Sequence, residues 1–182
     1  MPTVLQHDVV LIGLKEIKFK VGAVLTPIKG AMELTIDLQG QTQLVEGDDG
    51  VIAYAAEKTY AKITVTEAIL SVEARAALLG DTATESGTTP NTILTYEIKS
   101  GLVPSGTLTG KVSYVKNITG ATATLPKDAH FVIPSFTVDP STVSESTKIN
   151  EKGTYKFSGV AIPDSSGVIY KILLHETDTD IT

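Results

Sequence analysis

Alternation of hydrophobic and polar residues with a period of two dominates the chain, and this pattern is typical of half-buried β-strands. Ile17, Phe19 and Val21 form one face of the first clear run. Lys18 and Lys20 form its other face. The same alternation predicts further strands over residues 32–38, 60–66, 92–98, 111–115, 131–134, 155–161 and 168–174.

A period near 3.6 is found in one stretch, from Ser71 to Leu79. Ser71 can cap the exposed amides of a helix, and Glu73 places a negative charge in the first turn, where the helix dipole favours it. The residues that follow are good helix formers, and Gly80 suits the left-handed position after a helix end. We therefore predict one helix over residues 71–79, which must pack against the sheet because it is too short to be stable alone.

The segment between the second and third predicted strands interrupts the alternation. Residues 39–44 (QGQTQL) are polar but carry no charge, so they fit either a loop tip or an extended β-ribbon. Asp48, Asp49 and Gly50 then give a turn signal. We interpret residues 38–60 as one long loop that leaves the body of the domain.

The count of eight or more strands and one helix predicts a mainly β protein, a sandwich or barrel whose helix covers one open end or edge. The strands at 155–161 and 168–174 flank the turn-forming residues 163–167 and so predict a β-hairpin. Residues 81–91 are interpreted as a polar loop, and Pro134 as the end of a short strand. We expect a single domain over residues 1–182 with an N-terminal arm (1–7) and a solvated C-terminal tail (176–182).

Composition and charge narrow the possible functions. A hydrophobic content of 42% is ordinary for a folded protein, and a formal net charge of −6 argues against binding nucleic acid by neutralising its phosphates. The absence of cysteine excludes disulfides, thiolate metal sites and cysteine nucleophiles. The run from Val9 to Ile12 has no basic flank and is too short for a signal core or a membrane span, so we expect synthesis in the cytoplasm and no membrane partner.

No group of residues in the sequence has the spacing of a catalytic or metal site. The three histidines, His7, His130 and His175, are far apart and none has a second ligand two or four residues away. Glu46 and its acidic neighbours lack the ligand spacing of a calcium loop. Residues 106–111 (GTLTGK) are one residue short of a phosphate-binding loop and precede a strand rather than a helix. We therefore expect no enzyme activity, metal or cofactor.

Several segments together resemble the major tail proteins, or tail-tube proteins, of long-tailed bacteriophages. The similarity spans most of residues 15–174 and rests on the order of strand patterns and turn glycines. The segments that carry it are GAMEL (30–34), GDDG (47–50), the strand at 60–66, ALLG (77–80), PSF (134–136), the Lys/Glu-rich connection at 148–152, YKFSG (155–159) and VIYK (168–171).

This resemblance implies a tail-tube type of β-sandwich or barrel whose subunits form hexameric rings that stack into a tube. Such a subunit would reside in the virion, contact the tape-measure and tail-terminator proteins, and let DNA pass through its lumen without specific binding. The resemblance implies a ring-stacking loop containing Gln39, Gln41, Gln43, Leu44, Glu46, Asp48, Asp49, Val51 and Tyr54. It implies arms to adjacent subunits that contain Val4, Leu5, His7, Asp178 and Asp180.

The acidic balance fits a lumen that repels DNA phosphates. Lys18 and Lys20 depart from that pattern, so either their strand faces outward or they pair with carboxylates across a subunit boundary. The alternative function is a non-catalytic binding module, either a capsid decoration protein or a β-sandwich that binds a host or a carbohydrate. A rigid protein with a saturable ligand would favour that alternative.

Overall fold

This computed structural model describes residues 11–47, 50–69, 72–114, 128–146, 154–178 and 180–181. The described part of the chain contains ten strands and one helix. The mainly β prediction with one flanking helix is confirmed. The elements are β1 (Leu11–Val21), β2 (Val24–Ile28), β3 (Ala31–Gly47), β4 (Gly50–Glu67), α1 (Val72–Leu79), β5 (Thr82–Ser86), β6 (Ile93–Glu97), β7 (Ser105–Tyr114), β8 (Asp128–Ser146), β9 (Thr154–Ala161) and β10 (Lys171–His175).

Eight of the strands form one antiparallel sheet in the order β2-β1-β7-β8-β9-β4-β3, with β10 also paired to β8. The long strand β8 joins two halves of this sheet. Its first part pairs with β7 on one edge and with β10 on the other, from Asp128 to Val132. Its second part pairs with β9 from Phe136 onward. One strand therefore belongs to both halves, and the sheet turns a corner along it.

The inner face of the curled sheet holds a single hydrophobic core. Phe136 on β8 lies between Phe19 and Phe157, with ring centroids 6.1 Å and 6.5 Å away. Strands from the two halves of the sheet also face each other across the core, because a Cβ on Gly110 of β7 would lie only 3.1 Å from the Leu34 side chain of β3. The alternation in the sequence placed Ile17, Phe19 and Val21 on one face; Ile17 and Phe19 are fully buried and Val21 is half-buried. Ile63 and Val65 on β4 are also fully buried.

The helix α1 packs against this sheet as predicted, and it begins at Val72 and ends at Leu79. Ala74, Ala76 and Leu78 are buried, and Gly80 follows with a φ of +78°, the left-handed conformation expected at a helix end. No helix in the described ranges has the length and apolar character needed to cross a membrane.

The prediction that a short strand ends at Pro134 is wrong, because β8 continues through it to Ser146. Pro134 has no backbone N–H to donate to a neighbouring strand. On one edge of β8 it lies between the residues that pair with β10 and those that pair with β9. On the other edge it lies at a register shift in the pairing with β7. Pro140 lies in a second irregularity, between Asp139 and Ser144. There Asp139 accepts hydrogen bonds from the backbone N–H and the hydroxyl of Ser141, at 3.0 Å and 2.7 Å.

The predicted hairpin between residues 155–161 and 168–174 is also wrong. The turn exists, since Gly167 N–H donates to the Asp164 carbonyl at 2.9 Å. The strands on either side of it nevertheless pair with different parts of β8 rather than with each other. The greater length of β8 explains this outcome, because one edge of a 19-residue strand accommodates both β9 and β10.

The polar loop predicted at 81–91 is replaced in part by a second, two-stranded sheet of β5 and β6. This hairpin is attached to the body of the protein through Asp81 at the end of α1. The Asp81 carboxylate accepts a hydrogen bond from the Lys99 N–H at 3.0 Å and one from the Tyr96 hydroxyl at 3.4 Å.

Candidate assembly site

The strands β3 and β4 extend beyond the body of the sheet as a two-stranded ribbon. β4 pairs with β9 only from Ala61 to Glu67, whereas it pairs with β3 along the whole length back to Gly50 opposite Gly47. Residues 39–47 and 50–60, called here the ribbon, therefore pair only with each other. They extend over about 27 Å at the usual rise of a strand. The long loop predicted over 38–60 is a β-ribbon, the other alternative that the polar sequence left open.

Both faces of the described part of the ribbon are open to solvent. Gln41 lies opposite Glu57, and Thr42 lies opposite Ala56, so the two pairs occupy opposite faces. All four residues are exposed. An isolated pair of strands is marginally stable in water, because it has no hydrophobic layer behind it. The described part of the ribbon therefore has no hydrophobic layer behind it to stabilise its paired backbone.

Gly40 permits the two strands to approach closely at the base of the ribbon. A Cβ at this position would lie 2.2 Å from the carbonyl oxygen of Glu57, far inside van der Waals contact. A register shift occurs between Gln39 and Gly40, and the Thr59 hydroxyl donates to the Gln39 carbonyl at 3.3 Å beside it. This bulge sets the angle at which the ribbon leaves the sheet.

Most of the residues predicted for ring stacking lie on this ribbon. Gln39, Gln41 and Gln43 are exposed on β3. In the backbone register, Leu44 is opposite Tyr54, and Glu46 is opposite Val51. The side chains of those four residues, and Asp48 and Asp49 entirely, lie outside the described part of the chain.

The predicted C-terminal arm lies against its own chain. The side chain of Ile181 is buried, and the carbonyl of Ile181 accepts a hydrogen bond from Lys18 at 3.5 Å. Asp178 accepts a hydrogen bond from Lys111 at 2.5 Å, whereas Asp180 is exposed. The tail is thus not simply solvated as predicted, because an isoleucine and an ion pair fix it to the outer face of β1 and β7. The predicted N-terminal arm residues Val4, Leu5 and His7 lie outside the described residues.

Lys18 is one of the two lysines, with Lys20, whose side-chain environment the sequence left undecided. It forms an ion pair with Glu16 of the same strand at 3.2 Å, in addition to its bond to Ile181. Both partners belong to this chain, and both lie on the outer face of β1, because Ile17 and Phe19 occupy the inner face. Lys18 therefore has a carboxylate partner within its own chain, on the face of β1 that lies opposite the core.

A buried ion cluster lies beneath the tail. Lys111 is 4 Å or less from two carboxylates, at 2.5 Å from Asp178 and 3.3 Å from Asp128. The hydrogen bond to Asp178 and the bond to Asp128 raise the pKa of Lys111 above its ordinary value, although burial opposes the shift. Lys15 also reaches Asp128, at 3.6 Å, from a more exposed position. The rings of His130 and His175 pack nearby on β8 and β10, with centroids 4.5 Å apart.

A second buried charged pair joins the helix to the sheet, and the sequence did not predict it. Glu67 at the end of β4 is fully buried, and Arg75 on α1 is 2% exposed. Burial raises the pKa of Glu67 to about 7, and the positive charge of Arg75 opposes that rise. The guanidinium of Arg75 also lies over the ring of Tyr155 on β9. These contacts join the helix to β4 and β9.

Sequence spacing could not have found the histidine pair, because His130 and His175 are brought together only by the pairing of β8 with β10. Among the described residues, no three His, Cys, Asp or Glu side chains are arranged to hold a metal ion. The ribbon is an element whose strands pair only with each other and whose described side chains, apart from Thr59, are exposed. It is therefore the candidate site for contact with another protein.

No model of a known protein family matches the chain, and no curated protein matches it significantly.

Proposed function

We propose that this chain is a structural protein that self-assembles into rings, with six copies in each ring, and that the rings stack as the tail tube of a long-tailed bacteriophage. The ribbon of β3 and β4 contacts the next ring, and DNA passes through the lumen during ejection. The proposal joins the sequence resemblance to one structural observation, the projecting ribbon. The tape-measure and tail-terminator proteins are its proposed partners in the virion.

The ribbon supports this proposal because its geometry suits contact between copies. It is a regular paired element rather than a loop, so its ordering does not have to be achieved entirely at the moment of binding. Its exposed residues Gln41, Thr42 and Gln43 offer side-chain amides and a hydroxyl to a neighbour. β3 is also the last strand in the sheet order, so its outer backbone edge is unpaired in a single copy.

Electron microscopy of negatively stained protein at high concentration, across a range of salt concentrations, tests the proposal. We expect rings or tubes from the wild-type chain. In a matched variant, residues 41–57 are replaced by an Asn-Gly turn, which suits a two-residue hairpin between Gly40 and Lys58. We expect this variant to keep its melting temperature within a few degrees, because no described side chain of the ribbon belongs to the core, and to form no stacked tubes.

Three outcomes separate the alternatives. A wild-type chain that remains monomeric under every condition would contradict the tube. A shortened variant that stacks as well as the wild type would contradict the role of the ribbon while leaving assembly in place. A monomer that binds a carbohydrate or a capsid lattice saturably would instead support the binding-module alternative.

A further inference from the structure

The C-terminal tail crosses the outer face of the sheet from one strand to the next. It leaves the end of β10, which pairs with β8. Asp178 then contacts Lys111 of β7 at 2.5 Å, and the carbonyl of Ile181 accepts a hydrogen bond from Lys18 of β1 at 3.5 Å. Because β8, β7 and β1 are consecutive in the sheet, the described tail residues, 176–178 and 180–181, run across the strands rather than along one of them.

The outer face of β7 is buried where the tail contacts it. Lys111 is 6% exposed, and Thr109 in the same strand is buried to the same degree. Both side chains project outward, because Leu108, the neighbour of Thr109, belongs to the core and successive residues of a strand alternate between faces. A lysine is rarely this deeply buried unless it is paired. Asp178 contacts Lys111 from the outer side, so the tail is part of what covers this face.

A groove of about 560 Å³ lies between the tail and the body of the protein. Its charged lining residues are Lys15, Glu16, Lys29 and Lys111 from the body, and Asp178 and Asp180 from the tail. Asp128 of the body also contacts Lys15 and Lys111. Lysines outnumber carboxylates on the body side even when Asp128 is counted, so this face favours an acidic segment.

The ion pair with the tail is the main interaction of the Lys111 ammonium. The hydrogen bond to Asp178 is the largest cause of the raised pKa of Lys111, ahead of the bond to Asp128, and burial opposes the shift. The body therefore presents a buried lysine whose charged form the tail stabilises more than the neighbouring strand does. This contact and the buried side chain of Ile181 define what the face recognises: a carboxylate followed by an aliphatic residue three positions later.

Most of the tail nevertheless remains open to solvent. Its described residues lie outside every strand, and Glu176, Asp178 and Asp180 are exposed, whereas Ile181 is 3% exposed. The buried isoleucine and the ion pair to an exposed carboxylate have to offset the entropy of ordering the whole segment, and these terms are similar in size. The tail therefore opens at a small fraction of the free energy that unfolds the sheet.

We propose that the outer face of β1 and β7 is a docking surface for an acidic segment with an aliphatic anchor, and that the chain's own tail occupies it as a releasable strap. In the closed state, Asp178 binds Lys111 and Ile181 is buried. In the open state, the tail moves away while the sheet stays folded, and Lys18 and Lys111 become accessible. The tail thus controls access to this face. The proposal does not depend on the ribbon, which lies on β3 and β4.

Thiol labelling measures the opening, because the chain contains no cysteine of its own. In Ile181→Cys the thiol replaces the buried side chain of the tail, and in Val65→Cys it replaces a fully buried core side chain on β4. Both variants react with a water-soluble maleimide under native conditions. We expect Ile181→Cys to react at least about tenfold more slowly than the same cysteine in a synthetic peptide of residues 175–182, and at least about tenfold faster than Val65→Cys.

Asp178→Asn tests the ionic part of the docking. It removes the negative charge that Lys111 contacts, so in the Ile181→Cys chain we expect it to raise the labelling rate at least about threefold. The Val65→Cys rate should not respond to Asp178→Asn, because Asp178 is exposed and lies outside the core. Asp37→Asn is the matched control, since Asp37 is an exposed aspartate on β3, and it should leave both rates unchanged.

A fluorescent peptide of residues 175–182 tests whether the face recognises the segment itself. Anisotropy compares its binding to the wild type and to the full chain carrying Asp178→Asn and Ile181→Ala, whose own tail docks weakly. The closed tail competes with the peptide, so we expect the double variant to bind it at least about fivefold more tightly than the wild type. The same two changes made in the peptide should abolish its binding.

Four results would overturn the proposal. Labelling of Ile181→Cys as slowly as Val65→Cys would show that the tail opens only when the domain unfolds, and labelling as fast as the free peptide would show that it is not docked. An unchanged rate in Asp178→Asn would remove the ion pair from the docking. A double variant that does not bind the peptide would refute the docking surface. None of these results depends on whether tubes form.

Discussion

The guanidinium carbon of Arg75 lies 5.7 Å from the centre of the Tyr155 ring. Arg75 is almost completely buried, so its charge interacts with this aromatic face rather than with water. The ring is electron-rich on its face and attracts a cation placed above it. An arginine on α1 thereby joins the helix to β9, in addition to the alanines that pack beneath the helix.

Replacing Tyr155 by leucine should remove this attraction. We expect Tyr155→Leu to lower the free energy of unfolding by about 1–2 kcal/mol, the range of a desolvated cation–π contact. Tyr155→Phe keeps the ring face, so we expect it to retain most of the wild-type stability. Urea unfolding followed by circular dichroism measures both variants. Equal losses for leucine and phenylalanine would show that the hydroxyl, not the ring face, carries the effect.

Glu67 should make stability depend on pH. Burial raises its pKa to about 7 from the usual 4.5, so the folded state prefers the protonated carboxyl. The stability that the protonated Glu67 carboxyl contributes is therefore complete below pH 4.5, and it is lost as the pH rises through 7. Over this interval, we expect the wild type to lose up to about 3 kcal/mol of unfolding free energy relative to Glu67→Gln.

Thermal unfolding from pH 4.5 to 8 measures this difference. Glu33→Gln is the matched control, because Glu33 is an exposed carboxylate on the neighbouring strand β3. We expect the wild type and Glu33→Gln to respond to pH in parallel. A parallel response of Glu67→Gln would contradict the assignment of the raised pKa to Glu67.

Two lysines that contact the same carboxylate should differ greatly in importance. Lys111→Met removes a buried partner from Asp128 and also releases Asp178, so we expect a loss of roughly 3–5 kcal/mol. Lys15→Met removes a half-exposed partner from Asp128 and should cost less than about 1 kcal/mol.

Guanidinium unfolding at pH 7 compares the two variants. Hydrogen exchange provides a second measurement, and there Lys111→Met should lose protection of the C-terminal residues around Ile181. Similar losses for both lysines would contradict the buried character of the cluster.

Gly40 should be essential to the ribbon. We expect Gly40→Ala to separate the two strands at the ribbon base and to lower hydrogen-exchange protection over residues 39–60 by at least about tenfold, because its Cβ would collide with the Glu57 carbonyl. The core should keep its protection. Gly101→Ala is the matched control, since Gly101 has open space around it and needs no left-handed backbone. If the ribbon contacts the next ring, Gly40→Ala also reduces tube formation, and undiminished protection in the ribbon would refute the collision.

Much of the fold follows from local pattern. The alternation around Ile17 and Phe19 predicted which side chains enter the core, because a strand has only two faces and one of them is polar. The helix was predicted within one residue at its start and correctly at its end, since a helix-end signal such as Gly80 acts within a single turn.

The features that the sequence did not predict depend on contacts between distant residues. Nothing in the sequence indicated that Arg75 is buried, and its partner Tyr155 is on a strand eighty positions away. The pairing of β9 and β10 with β8 could not be inferred from a turn signal, because turn residues specify a reversal of direction and not the neighbour that each strand then selects. The ribbon was one of two alternatives, since uncharged polar residues suit a loop and an exposed strand equally well.

The position of β9 in the sheet has a consequence for biosynthesis. β3 and β4 are joined to the other strands of the sheet through β9, which ends at Ala161. During translation, residues 31–67 are made long before the strand that connects them to β8. Their unpaired edges are exposed throughout that interval, which is a condition that favours aggregation. The sheet that joins β3 and β4 to β8 can therefore form only after β9 has been synthesised.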